Sequence, residues 1–135
     1  MPQLLKIRVL LPDDHPGLIE AVRSLLKTDV DVVGCVDNGE SLYEAAMKMQ
    51  PDVIVTDISM PRVSGIEAVN RLRESGCLSK VVFLTVHSDP DIVRAALETG
   101  ALAYVVKTSL ITDLLFAIRE VYARRAFVSP EASAD

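Results

Sequence analysis

The stretch PDVIVTDISMPRVSGIEAV, residues 51–69, sets a short run of strand length directly before an aspartate and a helical segment. Residues 53–56 are Val, Ile, Val and Thr, so the run has no charged face. Such a run is typical of a strand covered on both faces, as in a parallel sheet. Ser64 and Glu67 then have the spacing of a capping box, which marks the start of a helix. The stretch therefore predicts a strand, a loop that begins at Asp57, and a helix.

The same alternation of strand and helix runs through the rest of the chain. Five strands are predicted, at residues 7–11, 32–36, 53–56, 81–85 and 102–106. The segments between them, and the one after the last strand, have apolar residues at helical spacing. Prolines suited to first helical turns, a second capping box and glycines at helix ends support these boundaries: Pro16, Pro90, Ser88 with Asp91, Gly76 and Gly100. Five β–α units in succession predict a doubly wound, open α/β sheet.

Composition narrows the class of protein. The 135 residues are 50% apolar, which fits one compact domain and excludes a disordered chain. We expect residues 1–123 to form the domain and residues 124–135 a tail or linker. A net charge of −5 argues against nucleic-acid binding by this domain. Apolar runs are too short for a membrane span, no signal peptide is recognised, and Cys35 and Cys77 form no CxxC motif. We expect a cytoplasmic protein.

Polar residues follow the predicted strands at one edge of the sheet. Asp13 and Asp14 follow the first strand, Asp57 the third, Thr85 ends the fourth, and Lys107 follows the fifth. Taken singly, each has an ordinary explanation as a helix cap, a turn residue, a strand residue or a surface charge. Ligands of open parallel sheets bind beyond the carboxyl ends of the strands, however. Together, these residues therefore predict a functional site.

Three carboxylates held close together require a cation. Two like charges about 4 Å apart repel by up to roughly 4 kcal/mol at an effective dielectric constant of about 20. Mg²⁺ takes oxygen ligands and keeps several waters, so two or three carboxylates suffice to bind it. With Lys107 and one Mg²⁺, the formal charge of Asp13, Asp14 and Asp57 sums to roughly zero. Such a site can accept a dianionic phosphoryl group.

The set Asp13-Asp14, Asp57, Thr85, Tyr104 and Lys107, in this order, resembles the receiver domain of two-component response regulators. The segments VTDISMPRVSGIEAV (residues 55–69) and GALAYVVK (residues 100–107) are similar to those of receivers. The resemblance covers about residues 6–122. It implies a flavodoxin-like (βα)5 fold, with a five-stranded parallel sheet in strand order 2-1-3-4-5.

The resemblance implies a role for each site residue. Asp57 would attack the phosphohistidine of a sensor histidine kinase and become an aspartyl phosphate. Asp13, Asp14, Asp57 and the backbone carbonyl of Ser59 would hold Mg²⁺ (or Mn²⁺). Lys107 would pair with Asp57 and later with a phosphoryl oxygen. The chain would be a signalling phosphoacceptor that promotes only its own phosphorylation and dephosphorylation, and no other enzyme activity is expected.

Thr85 and Tyr104 are the switch residues that the resemblance implies. The Thr85 hydroxyl would move toward the phosphate, and Tyr104 would turn inward into the space it leaves. The surface formed by the fourth helix, fifth strand and fifth helix would change as a result. For Tyr104, a simple packing role at the edge of the core remains open.

Three positions depart from the usual receiver pattern. Val86 is bulkier than the usual Ala or Ser, and we hypothesise that it slows the entry of small phosphodonors. Thr108 replaces a proline that many receivers have after the lysine, so we expect a trans bond there. Pro12 should mark the end of the first strand.

Two histidines lie near the site. His15 is expected at a helix start. His87 either influences the lifetime of the phosphate or is a solvated loop residue, the alternative that we favour slightly.

LLPDDHPGLIEAVRSLL (residues 10–26) and the missing proline after Lys107 resemble the NarL/LuxR-type subfamily. RRAFVSPEASAD (residues 124–135) is similar to the linker of that group, which leads to a helix-turn-helix output domain that would bind DNA. Such an output domain is absent from this sequence. The partners implied are a sensor histidine kinase and, after phosphorylation, a second copy of the chain. No membrane or nucleic-acid partner is expected for this domain.

Three alternatives remain open. A flavodoxin would need a Ser/Thr/Gly-rich phosphate loop where Asp13 and Asp14 stand. A haloacid-dehalogenase-type phosphatase would place a second aspartate at position 59, which is Ser59. A degenerate receiver would act by partner binding without phosphorylation, although the intact site residues argue against it.

Overall fold

The computed structural model describes residues 7–12, 20, 24, 30–60, 63–87 and 89–130. Within them six parallel strands form one sheet in the order β2-β1-β3-β4-β5-β6. The strands are β1 (Ile7–Pro12), β2 (Val30–Val36), β3 (Val53–Thr56), β4 (Lys80–Thr85), β5 (Ala103–Val106) and β6 (Phe127–Val128). The helices are α1 (Gly39–Met49), α2 (Gly65–Glu74), α3 (Pro90–Leu97) and α4 (Leu110–Tyr122), with a 3₁₀ turn at Lys107–Ser109.

The five predicted strands and their order are confirmed, and β1 ends at Pro12 as expected. Helices α3 and α4 are the fourth and fifth helices of the sequence prediction. Of the first predicted helix, the structure describes only Glu20 and Ser24, which are helical and exposed. The remainder of that helix, including the predicted cap at Pro16, lies outside the described residues.

The sixth strand was not predicted from the sequence. Phe127 donates a backbone hydrogen bond to the carbonyl of Leu102 at 3.0 Å, and Ser129 donates one to that of Tyr104 at 2.9 Å. Residues 127–129, which we expected in a tail, therefore extend the sheet beyond β5.

Alternating strand residues build an apolar core on each face of the sheet. In β3, Ile54 belongs to the apolar cluster that also contains residues of α1, α2 and α3, whereas Val53 and Val55 belong to the cluster that contains residues of α4. All three valine and isoleucine side chains are fully buried. Each such side chain contributes about 1.5–3 kcal/mol through the removal of apolar surface from water. This two-sided burial explains why β3 has no charged residue along its length.

The helix ends largely follow the predicted signals. The Ser64 hydroxyl accepts the Glu67 N–H at 3.1 Å, and Gly76 and Gly100 have positive φ angles of 85° and 92°. The start of α3 differs, because its N-cap is Asp89, whose carboxylate accepts the Asp91 N–H at 2.8 Å. An Asx-type hydrogen bond that spans two residues, not the three of a capping box, thus caps Pro90–Leu97. Ser88 lies outside the described residues.

None of the helices in the described part of the chain is both long enough and apolar enough to cross a bilayer.

Candidate functional site at the carboxyl edge of the sheet

Asp57 is the first residue after β3, and it is buried, with 7% of the whole residue exposed. Oδ1 accepts the backbone N–H of Ile58 at 2.7 Å and that of Ser59 at 3.4 Å. These contacts orient the carboxylate along the edge of the sheet. A carboxylate so little exposed needs a charged or hydrogen-bonding partner for both oxygens.

Lys107 supplies the partner for the other oxygen. It is the first residue after β5, and its Nζ donates to Asp57 Oδ2 at 2.9 Å. Strand β4 lies between β3 and β5 in the sheet, so the lysine side chain crosses one strand width to reach the aspartate. The two side chains are only 16% and 10% exposed. Removal of either partner would leave a poorly solvated charge, which is usually strongly destabilising.

Gly65 fixes the backbone behind Asp57. A Cβ atom at this position would lie 1.8 Å from the Asp57 carbonyl oxygen, which is closer than any real contact. The Gly65 N–H donates to the Ile58 carbonyl at 2.8 Å, and the Thr56 hydroxyl donates to the Asp57 carbonyl at 3.0 Å. The start of α2 therefore packs directly against the loop that holds the aspartate.

Thr85 and Tyr104 lie on the neighbouring strands β4 and β5, and both are fully buried. The Thr85 hydroxyl accepts the His87 N–H at 3.3 Å, and the Tyr104 hydroxyl donates to the His87 carbonyl at 2.9 Å. Tyr104 is thus already turned inward while Thr85 is bonded to His87, although we expected the inward orientation only after Thr85 moves toward a phosphoryl group. The backbone of His87 connects the two predicted switch residues.

The His87 side chain reaches the loop after Asp57, where its Nε2 and the Ser59 hydroxyl share a hydrogen bond at 3.0 Å. The solvated-loop reading of His87, which the sequence slightly favoured, missed this contact. The only sequence signal for it was that each residue lies two or three positions after the end of a strand. Val86, beside it, is 66% exposed.

Burial raises the pKa of Tyr104 to about 12, and the negative charges of Asp57 and Asp89 act in the same direction. The phenol therefore keeps its proton at all physiological pH values and remains a hydrogen-bond donor.

The structure brings Asp57 and Lys107 into contact, with Thr85 and Tyr104 joined through His87 beside them. Asp13, Asp14 and His15 lie outside the described residues. Among the residues that are described, no three His, Cys, Asp or Glu side chains form a metal-binding group. The bond between Lys107 and Thr108 is trans, as expected from the missing proline.

Comparison with known proteins assigns this arrangement to a family. The family model described as "Response regulator receiver domain" matches residues 9–119, from within β1 to within α4. The chain belongs to the response regulator receiver domain family.

Relatives that include NarL and LuxR-family proteins support a NarL/LuxR-type receiver. It is 38% identical over 127 residues to the uncharacterized transcriptional regulatory protein YvfU of Bacillus subtilis, covering 93% of this chain and 64% of that protein. It is 36% identical to the nitrate/nitrite response regulator protein NarL of Escherichia coli, covering 90% and 57%. A LuxR-family two-component response regulator from Aurantimonas superposes with a TM-score of 0.88 at 30% identity, covering 95% of this chain and 93% of that one. The receiver thus spans about three fifths of YvfU and NarL.

Proposed function

We propose that this receiver acts in the cytoplasm, takes a phosphoryl group onto Asp57 from a sensor histidine kinase and thereby switches an output, which we take to be transcription. The observation that carries the proposal is the bond between Lys107 Nζ and Asp57 Oδ2 at 2.9 Å, at the carboxyl edge of the sheet. A lysine held on a buried carboxylate neutralises it and is placed to hold an oxygen of an incoming phosphoryl group.

The transfer itself asks little covalent chemistry of the protein. A carboxylate oxygen of Asp57 attacks the phosphorus of the phosphohistidine, the new O–P bond forms, and the P–N bond breaks. The departing imidazole keeps the electron pair of that bond and takes up a proton. Positioning and charge neutralisation account for most catalysis in reactions of this kind. Here the Ile58 N–H fixes one oxygen of Asp57 and Lys107 the other.

The donors expected around Asp57 suit Mg²⁺ (or Mn²⁺), since carboxylate and carbonyl oxygens are the ligands that these ions prefer. Asp57, the backbone carbonyl of Ser59, and Asp13 and Asp14 would hold the ion. β1 ends at Pro12 on the same edge as Asp57, and one or two residues further can carry the chain at most about 8 Å. When bound, the ion would neutralise the negative charge of the carboxylates and of the transferred group.

The switch would run through Thr85 and Tyr104. If the Thr85 hydroxyl turns toward a phosphoryl group on Asp57, it gives up its hydrogen bond with the His87 N–H. The carbonyl of the same residue, His87, accepts the hydrogen bond of the Tyr104 hydroxyl. A change at the phosphorylation site would thus reach β5 and the flanking helices α3 and α4. That surface is the region where we expect output, kinase or a second phosphorylated copy to bind. DNA binding would belong to a helix-turn-helix domain outside this sequence.

Incubation with acetyl phosphate and Mg²⁺, followed by intact-mass measurement, tests the proposal. We expect the mass gain of one phosphoryl group, abolished by EDTA and in Asp57→Asn. Asp31→Asn, an exposed aspartate on β2, is the matched control and should be phosphorylated normally. Because Val86 is expected to hinder small donors, a phosphorylated histidine kinase serves as second donor. Phosphorylation that persists in Asp57→Asn, or that fails with both donors, would refute the proposal.

A further inference from the structure

Ser129, the residue that follows β6, is fully buried and bonded on three sides. Its N–H donates to the Tyr104 carbonyl at 2.9 Å, and its hydroxyl accepts the Val106 N–H at 3.2 Å. The same hydroxyl donates to Asp113 Oδ2 on α4 at 2.9 Å. One side chain therefore ties the outer edge of β5 to the first turns of the helix that follows it.

The position of these bonds in the chain is informative. Val106 is the last residue of β5 and directly precedes Lys107, whose Nζ holds Asp57. Ser129 therefore restrains the residue immediately before the lysine, through the peptide that joins Val105 to Val106. Without this hydroxyl, the Val106 N–H would face a methyl group in a buried setting. The end of β5 would then be free to shift, and the ammonium group at the far end of the lysine side chain would shift with it.

A second contact anchors the same segment. The rings of Phe116 on α4 and Phe127 on β6 pack edge to face, with centroids 5.3 Å apart and planes at 75°. Such pairs add stabilisation beyond the area they bury. The hydroxyl of Ser129 is thus delivered by a strand that is held on both sides, by β5 and by α4.

We propose that Ser129 is a positioning residue for Lys107, so that the segment Phe127–Ser129 is energetically coupled to phosphorylation of Asp57. The inference rests on the proposed function. Coupling between two sites is reciprocal. If Ser129 favours the lysine position that accepts a phosphoryl oxygen, then phosphorylation changes how firmly residues 127–129 are held on β5.

A double-mutant cycle tests whether Ser129 acts through Lys107. We expect Ser129→Ala to lower the rate of phosphorylation by about two- to tenfold, the effect of one hydrogen bond. In a Lys107→Ala background, the same change should have no further effect, because the positioned group is gone. Asp113→Ala should act like Ser129→Ala, whereas Asp113→Asn keeps an acceptor for the hydroxyl and should recover the wild-type rate. Equal losses in both backgrounds would show a general structural role and overturn the inference.

Hydrogen exchange gives an independent measurement on the wild-type chain. The amide protons of Val106 and Ser129 should change their exchange rate by about two- to tenfold upon phosphorylation, and Asp57→Asn treated in the same way should show no change. A wild-type chain that is phosphorylated, with unchanged exchange at both amides, overturns the coupling and leaves the proposed function intact. A wild-type chain that is never phosphorylated overturns the proposed function instead.

Discussion

Replacement of Tyr104 by phenylalanine should lower the free energy of unfolding at neutral pH and raise it, relative to the wild type, at alkaline pH. At neutral pH the change removes the hydroxyl that donates to the His87 carbonyl at 2.9 Å. The net loss for a hydrogen bond of this kind is about 1 kcal/mol. The ring itself is fully buried and is retained, so no cavity forms.

At high pH the wild type loses folding stability through the ionisation of Tyr104, and the variant does not. Burial raises the pKa of Tyr104 from its ordinary value near 10 to about 12. Between these values the unfolded chain loses the phenolic proton while the folded chain keeps it, so the free energy of unfolding falls as the pH rises. The slope approaches about 1.4 kcal/mol per pH unit, and the full loss is on the order of 2–3 kcal/mol. The stability of Tyr104→Phe should therefore exceed that of the wild type above roughly pH 10–11.

Urea unfolding followed by far-ultraviolet circular dichroism, at pH steps from neutral to strongly alkaline, measures this difference. All other ionisable groups are common to both proteins, so their effects on stability cancel in the comparison. Tyr122→Phe, at a half-exposed position at the end of α4, controls for the loss of a phenol in general. A difference between wild type and Tyr104→Phe that stays constant over the whole pH range would refute the reasoning.

Three further perturbations have defined outcomes. Arg73→Ala removes the donor to three backbone carbonyls, including that of Ser79 at 2.7 Å. It should lower the free energy of unfolding, measured by urea titration, by about 2–4 kcal/mol. Arg71→Ala, at an exposed position, is the control and should lower it by under about 1 kcal/mol. Gly65→Ala places a Cβ 1.8 Å from a backbone oxygen and should cost about 1–3 kcal/mol by the same assay and slow phosphorylation with acetyl phosphate. Val86→Ala should speed phosphorylation by acetyl phosphate and leave transfer from a kinase unchanged, as followed by intact mass; equal rates with the small donor would exclude the steric hypothesis.

The parts of the fold that sequence predicts well are those where one local pattern has one structural solution. A run such as Val53–Thr56 can bury all its side chains only if both faces of the strand are covered, so β3 and its burial followed from the local sequence alone. The convergence of Asp57 and Lys107 followed because parallel strands deliver their carboxyl ends to one edge. Neither prediction needed side-chain detail.

The missed features depend on contacts between distant segments. β6 contains only Phe127 and Val128, too few residues for any periodicity, and it becomes a strand because β5 offers a free edge. Ser129 looks like an ordinary linker serine until the Val106 N–H and Asp113 are seen around it. The bond between His87 and Ser59 likewise joins two loops that sequence spacing cannot orient.

The arrangement around His87 indicates how a local charge could become a change of shape. Asp57 carries one negative charge, which Lys107 balances, and an aspartyl phosphate would carry about two. In a site this buried, the added charge needs a new hydrogen-bond donor, and the Thr85 hydroxyl on the adjacent strand is a candidate. In the present structure that hydroxyl is committed to the His87 N–H, so its departure would leave a backbone donor without its acceptor. The His87 N–H must then move or bind water. The His87 carbonyl, on the same residue, is the acceptor that holds Tyr104 inward. The two predicted switch residues are therefore linked through one backbone segment, and a substitution that loosens this segment should alter Tyr104 even when Thr85 is intact.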